Sequence, residues 1–297
     1  MNARTPHART LHAEDLDAAE EFLRLNARLI DRHRFAYHFR GGPVEAVAAA
    51  LRPYENPDGG YGHALEPDLR GEASQPVPAQ HALEILHEAG LDGDPAVQRI
   101  GDFLTAITRP DGGVPFVLPT VRDAPRAPWW QTPDDPPSNI NPTATLAGLL
   151  HLMKADHPWL GPATEYSWAY LEKEGNEPGP YDALAIWTFL EHVPDRTRAE
   201  TVLERVRDAL LPHVALEPDG EGHSPLDFAP APGGLGPRLF DGALIEAHLD
   251  ALIDARLDDG GWTVGFPFFT PVTEPEWRGY VTVERLKTLR AYGRLEP

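Results

Sequence analysis

An all-α fold built from repeated helical hairpins is what this sequence predicts, on three observations. Apolar residues recur at a 3.6-residue period through most of the chain, Asp-Gly turns interrupt those segments at near-regular spacing, and strand signals are scarce. The chain has 297 residues, 41% of them hydrophobic, with 26 glycines, 32 prolines and no cysteine. A chain this long buries enough apolar surface to need no disulfide or metal staple. Proline and glycine are abundant for a helical protein, and their positions account for it.

Helices are expected near 13–34, 43–53, 75–90, 94–108, 141–156, 160–174, 180–193, 196–213, 238–255 and 277–293. In the third, Ala79, Leu83, Ile85, Leu86 and Ala89 fall on one face; in the fifth, Leu146, Leu149, Leu150 and Met153 do. Leu184, Trp187, Phe189 and Leu190 mark the seventh, Leu244, Leu249, Leu252 and Ile253 the ninth, and Val281, Val283, Leu286 and Leu289 the last. Several segments open with proline near the first helical position, as at Asp94-Pro95, Asn141-Pro142, Gly179-Pro180, Gly236-Pro237 and, more loosely, Ser74-Gln75-Pro76. Proline fits there because that amide has no intrahelical partner, and Asp or Asn before it caps the turn. Val114-Pro115-Phe116-Val117 and Thr263-Val264-Gly265-Phe266 are short extended candidates weakened by Pro or Gly. Two long irregular stretches remain, 114–139 and 215–237, too aromatic for plain disorder.

The turns themselves share a core. They are Asn56-Pro57-Asp58-Gly59-Gly60-Tyr61, Arg109-Pro110-Asp111-Gly112-Gly113-Val114, Glu217-Pro218-Asp219-Gly220-Glu221-Gly222 and Leu257-Asp258-Asp259-Gly260-Gly261-Trp262. The aspartates stand 53, 108 and 40 residues apart, so a skipped beat is expected near 165–180, where Lys173-Glu174-Gly175-Asn176-Glu177-Pro178-Gly179 is a degenerate copy. Asp58, Asp111, Asp219 and Asp259 are read as turn residues: the aspartate bonds local amides and glycine supplies positive φ.

Composition removes whole classes of function. With 26 basic and 46 acidic residues the net charge is −20, which disfavours nucleic acid and anionic membranes as partners. The absence of cysteine excludes a disulfide framework, a thiolate zinc site, an iron–sulfur cluster and a cysteine nucleophile. The amino-terminal residues lack the apolar core of a secretory signal, and no window has the length of a membrane span, so a soluble, cytoplasmic protein without an integral membrane segment is expected.

A helix, Asp-Gly-Gly turn, helix unit at this period resembles the repeat of the prenyltransferase and squalene-cyclase superfamily, that of terpenoid cyclases and protein prenyltransferases. The resemblance rests on four turn copies over about 200 residues. The glutamine that opens the family's fuller repeat is missing from all four, and only Asp259-Gly260-Gly261-Trp262 keeps the tryptophan. The resemblance implies an α/α toroid of alternating inner and outer helices around a central cavity, here as one domain spanning 1–297. Inner-helix amino termini directed at one mouth would favour anions there, above an apolar and aromatic lining. It also implies motifs that this chain lacks. No Asp-x-Asp-Asp acid of the class II terpene cyclases occurs, and the Asp, Cys and His zinc site of protein prenyltransferases is ruled out by the missing cysteine.

The densest polar cluster is Gly62-His63-Ala64-Leu65-Glu66-Pro67-Asp68-Leu69-Arg70. On one reading Asp68 or Glu66 donates a proton or binds a metal, with His63 or Arg70 orienting the substrate; on the other, the same groups cap helices and pair with one another. Tyr61 adjoins the cluster. Gly222-His223-Ser224-Pro225-Leu226-Asp227 echoes it, so His223 and Asp227 are a second pair, either facing a ligand or reusing a structural cap. A divalent metal such as Mg²⁺ is one option for such oxygen and imidazole groups, its identity left open. Trp129 and Trp130 either form a lid over a cavity or pin a loop, and Trp262, with Phe266, Phe268 and Phe269, is core or cavity lining.

The leading expectation is an enzyme of the terpenoid-cyclase and prenyltransferase type. Asp68, Glu66 and His63 would be catalytic, and Arg70, Tyr61, Trp129, Trp130, His223, Asp227 and Trp262 would bind a small apolar or amphipathic substrate. Two alternatives stay open: a carbohydrate-active α/α-barrel enzyme, which needs facing carboxylates, and a non-catalytic repeat protein that binds through the same surface. Substrate identity and oligomeric state are not encoded in any motif.

Overall fold

The computed structural model describes residues 9–173 and 177–296. Its regular elements are helical: α1 (Ala13–Asn26), α2 (Leu29–Arg40), α3 (Val44–Leu51), α4 (Pro76–Glu88), α5 (Pro95–Ile107), α6 (Ile140–Leu152), α7 (Leu160–Glu172), α8 (Pro180–His192), α9 (Arg196–Leu210), α10 (Pro225–Phe228), α11 (Gly236–Leu239), α12 (Gly242–Asp254) and α13 (Thr273–Ala291). Extended pairing among the described residues is limited to isolated bridges. Two compact units result. A middle unit runs from Gly41 to His213, and a terminal unit joins the stretch up to Arg40 with the stretch from Val214 onward.

In the middle unit α4, α6 and α8 pack side by side in that order, while α5, α7 and α9 form a second row against them. α6 is the centre: Ile140, Pro142, Ala144, Leu146, Ala147 and Leu150 are all buried. It comes so near α8 that a Cβ on Gly148 would lie 2.6 Å from the Thr188 carbonyl oxygen. Proline starts α4, α5 and α8 as expected, and Asp94 caps α5 by accepting from the Ala96 amide at 2.8 Å.

In the terminal unit α1, α2 and α13 pack together and α10 packs on α12. Their core includes Phe22, Leu23, Phe35, Leu249, Trp262, Leu286 and Leu289. The single helix expected over 13–34 is two. Ala27 is extended (φ −83°, ψ 159°), which turns the chain so that it crosses α13 closely at Gly279, where a Cβ would sit 2.6 Å from that of Ala27. The break also places Arg28 to bind Asp31 at 2.8 Å; Asp31, fully buried, accepts from Arg34 at 3.1 Å, and Arg34 reaches Glu284 on α13. The helices expected at 238–255 and 277–293 begin at Gly242, capped by Asp241, and at Thr273, and the stretch 215–237 contains the two four-residue helices α10 and α11. The chain ends meet through the Leu11 and Leu295 backbones, and buried Arg294 pairs with Asp250 at 2.8 Å and with Glu246.

Three of the four Asp-Gly turns share one geometry. The amide before the turn bonds the second glycine's carbonyl (Asn56 to Gly60, Arg109 to Gly113, Leu257 to Gly261, at 2.8–2.9 Å), and the aspartate Oδ1 accepts from the second glycine's amide at 2.9, 3.2 and 3.1 Å. Gly59, Gly112 and Gly260 have φ of 81°, 93° and 90°. Each also touches another helix's backbone. A Cβ there would lie 2.4 Å from Arg99 O on α5, 2.6 Å from Pro162 O on α7 and 2.6 Å from Ala18 O on α1. The following glycine meets an aromatic four residues further along that helix: Phe103, Tyr166 or Phe22. Glycine is thus required twice over, by φ and by contact. The Asp219 turn lacks this closure; Asp219 is exposed and Glu221 stands where the other copies have their second glycine. The degenerate copy expected at 173–179 falls largely on 174–176, outside the described residues.

Candidate functional site

The loop from Glu55 to Gln75 carries the expected polar cluster, and its backbone determines which groups are buried. Tyr61 forms bridges with Glu55 and Gln75 that draw it inside at 1% exposure; burial, reinforced by the Glu55 charge, pushes its hydroxyl well above the usual phenol range. The chain then turns sharply. His63 and Ala64 both adopt left-handed conformations (φ 55° and 61°), unusual for residues with a side chain. His63 is exposed and its Nε2 lies 2.9 Å from Asn56 Oδ1.

The turn directs the next two acids inward. Glu66 and Asp68 are 2% and 1% exposed. Glu66 Oε2 lies 3.0 Å from His81 Nε2, and His81 Nδ1 lies 3.1 Å from Glu84 Oε2. Burial alone would lower the His81 pKa, but its hydrogen bonds to Glu66 and Glu84 and their charges outweigh it and raise the group to about 9. His81 is clasped between two carboxylates that favour its protonated form. Gln80 Nε2 donates to the other oxygen of Glu84 at 2.9 Å, and the Asp68 amide points at Glu66 Oε1 at 3.4 Å.

The neighbouring chain completes the wall. The Arg70 amide donates to Pro125 O at 3.1 Å and the Ala127 amide to Asp68 O at 3.0 Å, so 68–70 and 125–127 run as a short antiparallel pair. Trp130 is buried and stacked on Phe116 (centroids 5.0 Å, planes 15° apart), whereas Trp129 is 46% exposed.

In the terminal unit the echo of this cluster has a different structure. Asp227 accepts from the Ser224 amide at 3.0 Å, as the acid of the box that caps α10, and from Arg285 at 2.7 Å. His223 Nδ1 stands 3.9 Å from Asp227, and Ser224 Oγ is 3.2 Å from Nδ1 of buried His248. Trp262 is core: its indole N–H donates to Leu252 O at 2.8 Å, and its amide to Thr282 Oγ1. Phe266, Trp277 and Tyr280 form an edge-to-face series (centroids 5.3 and 5.9 Å), with Arg34 over the Tyr280 ring.

The structure thus brings Glu66, Asp68, Tyr61 and Arg70 into one region with Trp130, while His223, Asp227 and Trp262 belong to the other unit. His81 and Glu84 were not anticipated from sequence. They lie one helical turn apart on α4, the only signal available, and Glu66, which bonds His81, is 15 residues upstream of it in a loop. Among the described residues no group of three or more His, Asp or Glu is spaced to hold a metal ion.

No protein-family model matches the chain, and no curated protein does. Solved structures do. A protein from Actinoplanes aligns at TM-score 0.60 and 17% identity, over 95% of this chain and 99% of that one. Type II terpene cyclase MstE from Scytonema, without ligand, aligns at TM-score 0.54 and 11% identity, over 93% of this chain and 96% of that one. A variant of it in complex with geranylgeranyl dihydroxybenzoate, its substrate, aligns at TM-score 0.53 and 11% identity, with 93% and 96% covered. The likeness is one of fold. The chain is all-α, of the α/α toroid class found in terpene cyclases, and no described helix is long and apolar enough to cross a membrane.

Proposed function

We propose that the protein is a terpenoid-cyclase-like enzyme acting on an isoprenoid or similarly apolar substrate, with Asp68 as the proton donor. The observation that carries this reading is the fully buried Glu66 and Asp68 pair beside the His81 imidazolium, on a fold shared with a terpene cyclase. A protonation-initiated cyclisation transfers the carboxylic proton to an alkene carbon, forming a C–H bond and a cation and leaving a carboxylate. The chain's own groups suit that step. Burial keeps bulk water from the acid. His81, positively charged, offsets the negative charge that Glu66 and the spent acid concentrate in one place. Trp130 and Phe116 supply aromatic surface in the same unit, and Arg70, two residues past Asp68 in the segment paired with 125–127, would orient a polar substrate end.

The test is product formation. Incubation with geranyl to geranylgeranyl substrates, free or attached to an aromatic acid, is expected to give a cyclised product by gas chromatography–mass spectrometry. Asp68→Asn should remove it while leaving the thermal midpoint near that of the parent. Absence of turnover at every chain length counts against the proposal.

A further inference from the structure

We infer that the cleft between the carboxyl end of α7 and helices α8 and α9 is a second small-molecule site, built for an amphipathic carboxylate: a hydrocarbon chain with one anionic end. None of the residues that line it belongs to the Asp68 region, so it needs nothing from the cyclase reading. Its volume is about 400 Å³, within the range of small-molecule sites. That is the bulk volume of about thirteen waters, roughly one for each non-hydrogen atom of a ten-carbon carboxylate. Three helices supply the apolar part. Leu171 on α7, Ile186 on α8 and Leu210 on α9 are buried, and half-buried Val206 and Ala209 continue the α9 wall. Each further methylene laid against these side chains leaves water, so affinity must rise with chain length.

The rim is basic. Arg205 reaches from α9 to α7, where its Nη2 donates to Leu171 O at 3.1 Å, so the guanidinium itself stands between two of the lining helices. Among the described residues Arg205 forms no ion pair with a carboxylate. Exposed Lys173, the residue that ends α7, adds a second basic group to the lining. Glu172 is the carboxylate that lines the cleft, and Arg198 already binds it, through Nη2 at 2.5 Å and Nε at 3.1 Å. A neutral carbonyl holds a guanidinium in place without cancelling its charge, and the planar fork matches a carboxylate. Apolar walls alone would take any hydrocarbon. The basic rim selects an anionic end, in a protein whose net charge of −20 otherwise repels one.

The experiment titrates the full chain by calorimetry with octanoate, decanoate and octanol at low salt. Decanoate is expected to bind one to one, and about threefold or more tighter than octanoate. Octanol, with the same chain length and no charge, should bind roughly tenfold weaker than octanoate, the usual worth of a charged hydrogen bond. Arg205→Met should bring octanoate down to the level of octanol and leave octanol unchanged. Ala209→Trp, which adds bulk at a lining position, should remove saturable binding of all three; Val206→Trp should do the same and serves if Ala209→Trp fails to fold. Arg207→Met, an exposed arginine on α9 outside the lining, should leave every affinity unchanged. The site is overturned if decanoate shows no saturable binding up to about 10 mM, or if the folded tryptophan variants bind as the parent does. It is equally overturned if octanol matches octanoate, or if Arg207→Met weakens octanoate as much as Arg205→Met. Binding is read without turnover, so a failed cyclisation assay leaves this site standing, and failed binding leaves the cyclase reading standing.

Discussion

Two stretches of this chain begin alike and end differently. After Pro57-Asp58-Gly59 and after Pro218-Asp219-Gly220 the chain reaches Gly-His and then an aspartate, Asp68 in one case and Asp227 in the other. In the middle unit the turn is closed by two glycines, the chain folds back through left-handed His63 and Ala64, and Glu66 and Asp68 end up buried beside α4. In the terminal unit Glu221 interrupts the turn, and the aspartate is committed to capping α10 and to Arg285. A carboxylate already bound to local amides and an arginine has little left to offer a substrate. What distinguishes the two regions is therefore the closure of the turn that precedes each acid.

The largest expected contrast is catalytic. Asp68→Asn should lower turnover by roughly 10²–10⁴, the range for losing a positioned acid. Asp227→Asn should cost about 1 kcal/mol of stability through the weakened cap and leave turnover near normal. Equal losses of turnover from both would erase the distinction.

A second contrast tests the turns. Gly59→Ala places a Cβ 2.4 Å from the Arg99 carbonyl at a φ of 81° and should destabilise by about 3 kcal/mol in chemical denaturation. Gly220→Ala, with its nearest neighbour at 3.0 Å and no positive φ, should cost about 0.5–1 kcal/mol. Near-equal midpoints would mean that the closed turn carries no special load.

A third contrast, of similar size, is in pH. His81 titrates near 9 in the folded protein against 6.5 unfolded, so its stabilisation is complete below about 6.5 and lost as pH rises through 9, amounting to roughly 2–3 kcal/mol. His248 goes the other way: burial lowers its pKa, so it contributes a loss of stability as pH falls below 6.5. His81→Gln should flatten the alkaline limb of the stability profile, and His248→Gln the acid limb. An unchanged alkaline limb in His81→Gln would remove the imidazolium from the account.

Much of the helical frame could be read from the sequence because its signals are local. Proline at first turns and the 3.6-residue period mark α4, α5, α6 and α8 to within a few residues. The break at Ala27 has no Pro or Gly to announce it; its cause lies in α13, some 250 residues away, where Gly279 admits the crossing. α10 and α11 are too short for periodicity to register. The same divide holds at the site. Glu66 and Asp68 stand out as a dense polar run, but His81 and Glu84 join them only through the folded loop, and nothing in their distance from Glu66 along the chain anticipates it.

The contact of Gly260 with Ala18 has an implication for synthesis. Gly59 and Gly112 rest on helices that follow them in the chain, whereas Gly260 rests on α1, some 240 residues before it. The middle unit is a continuous segment and has all its partners once its last residue is out. The terminal unit does not: α1 and α2 must wait for α12 and α13, with Phe22 and Phe35 uncovered until some 240 residues later. That interval leaves the apolar faces of α1 and α2 without their later partners while the middle unit is being made.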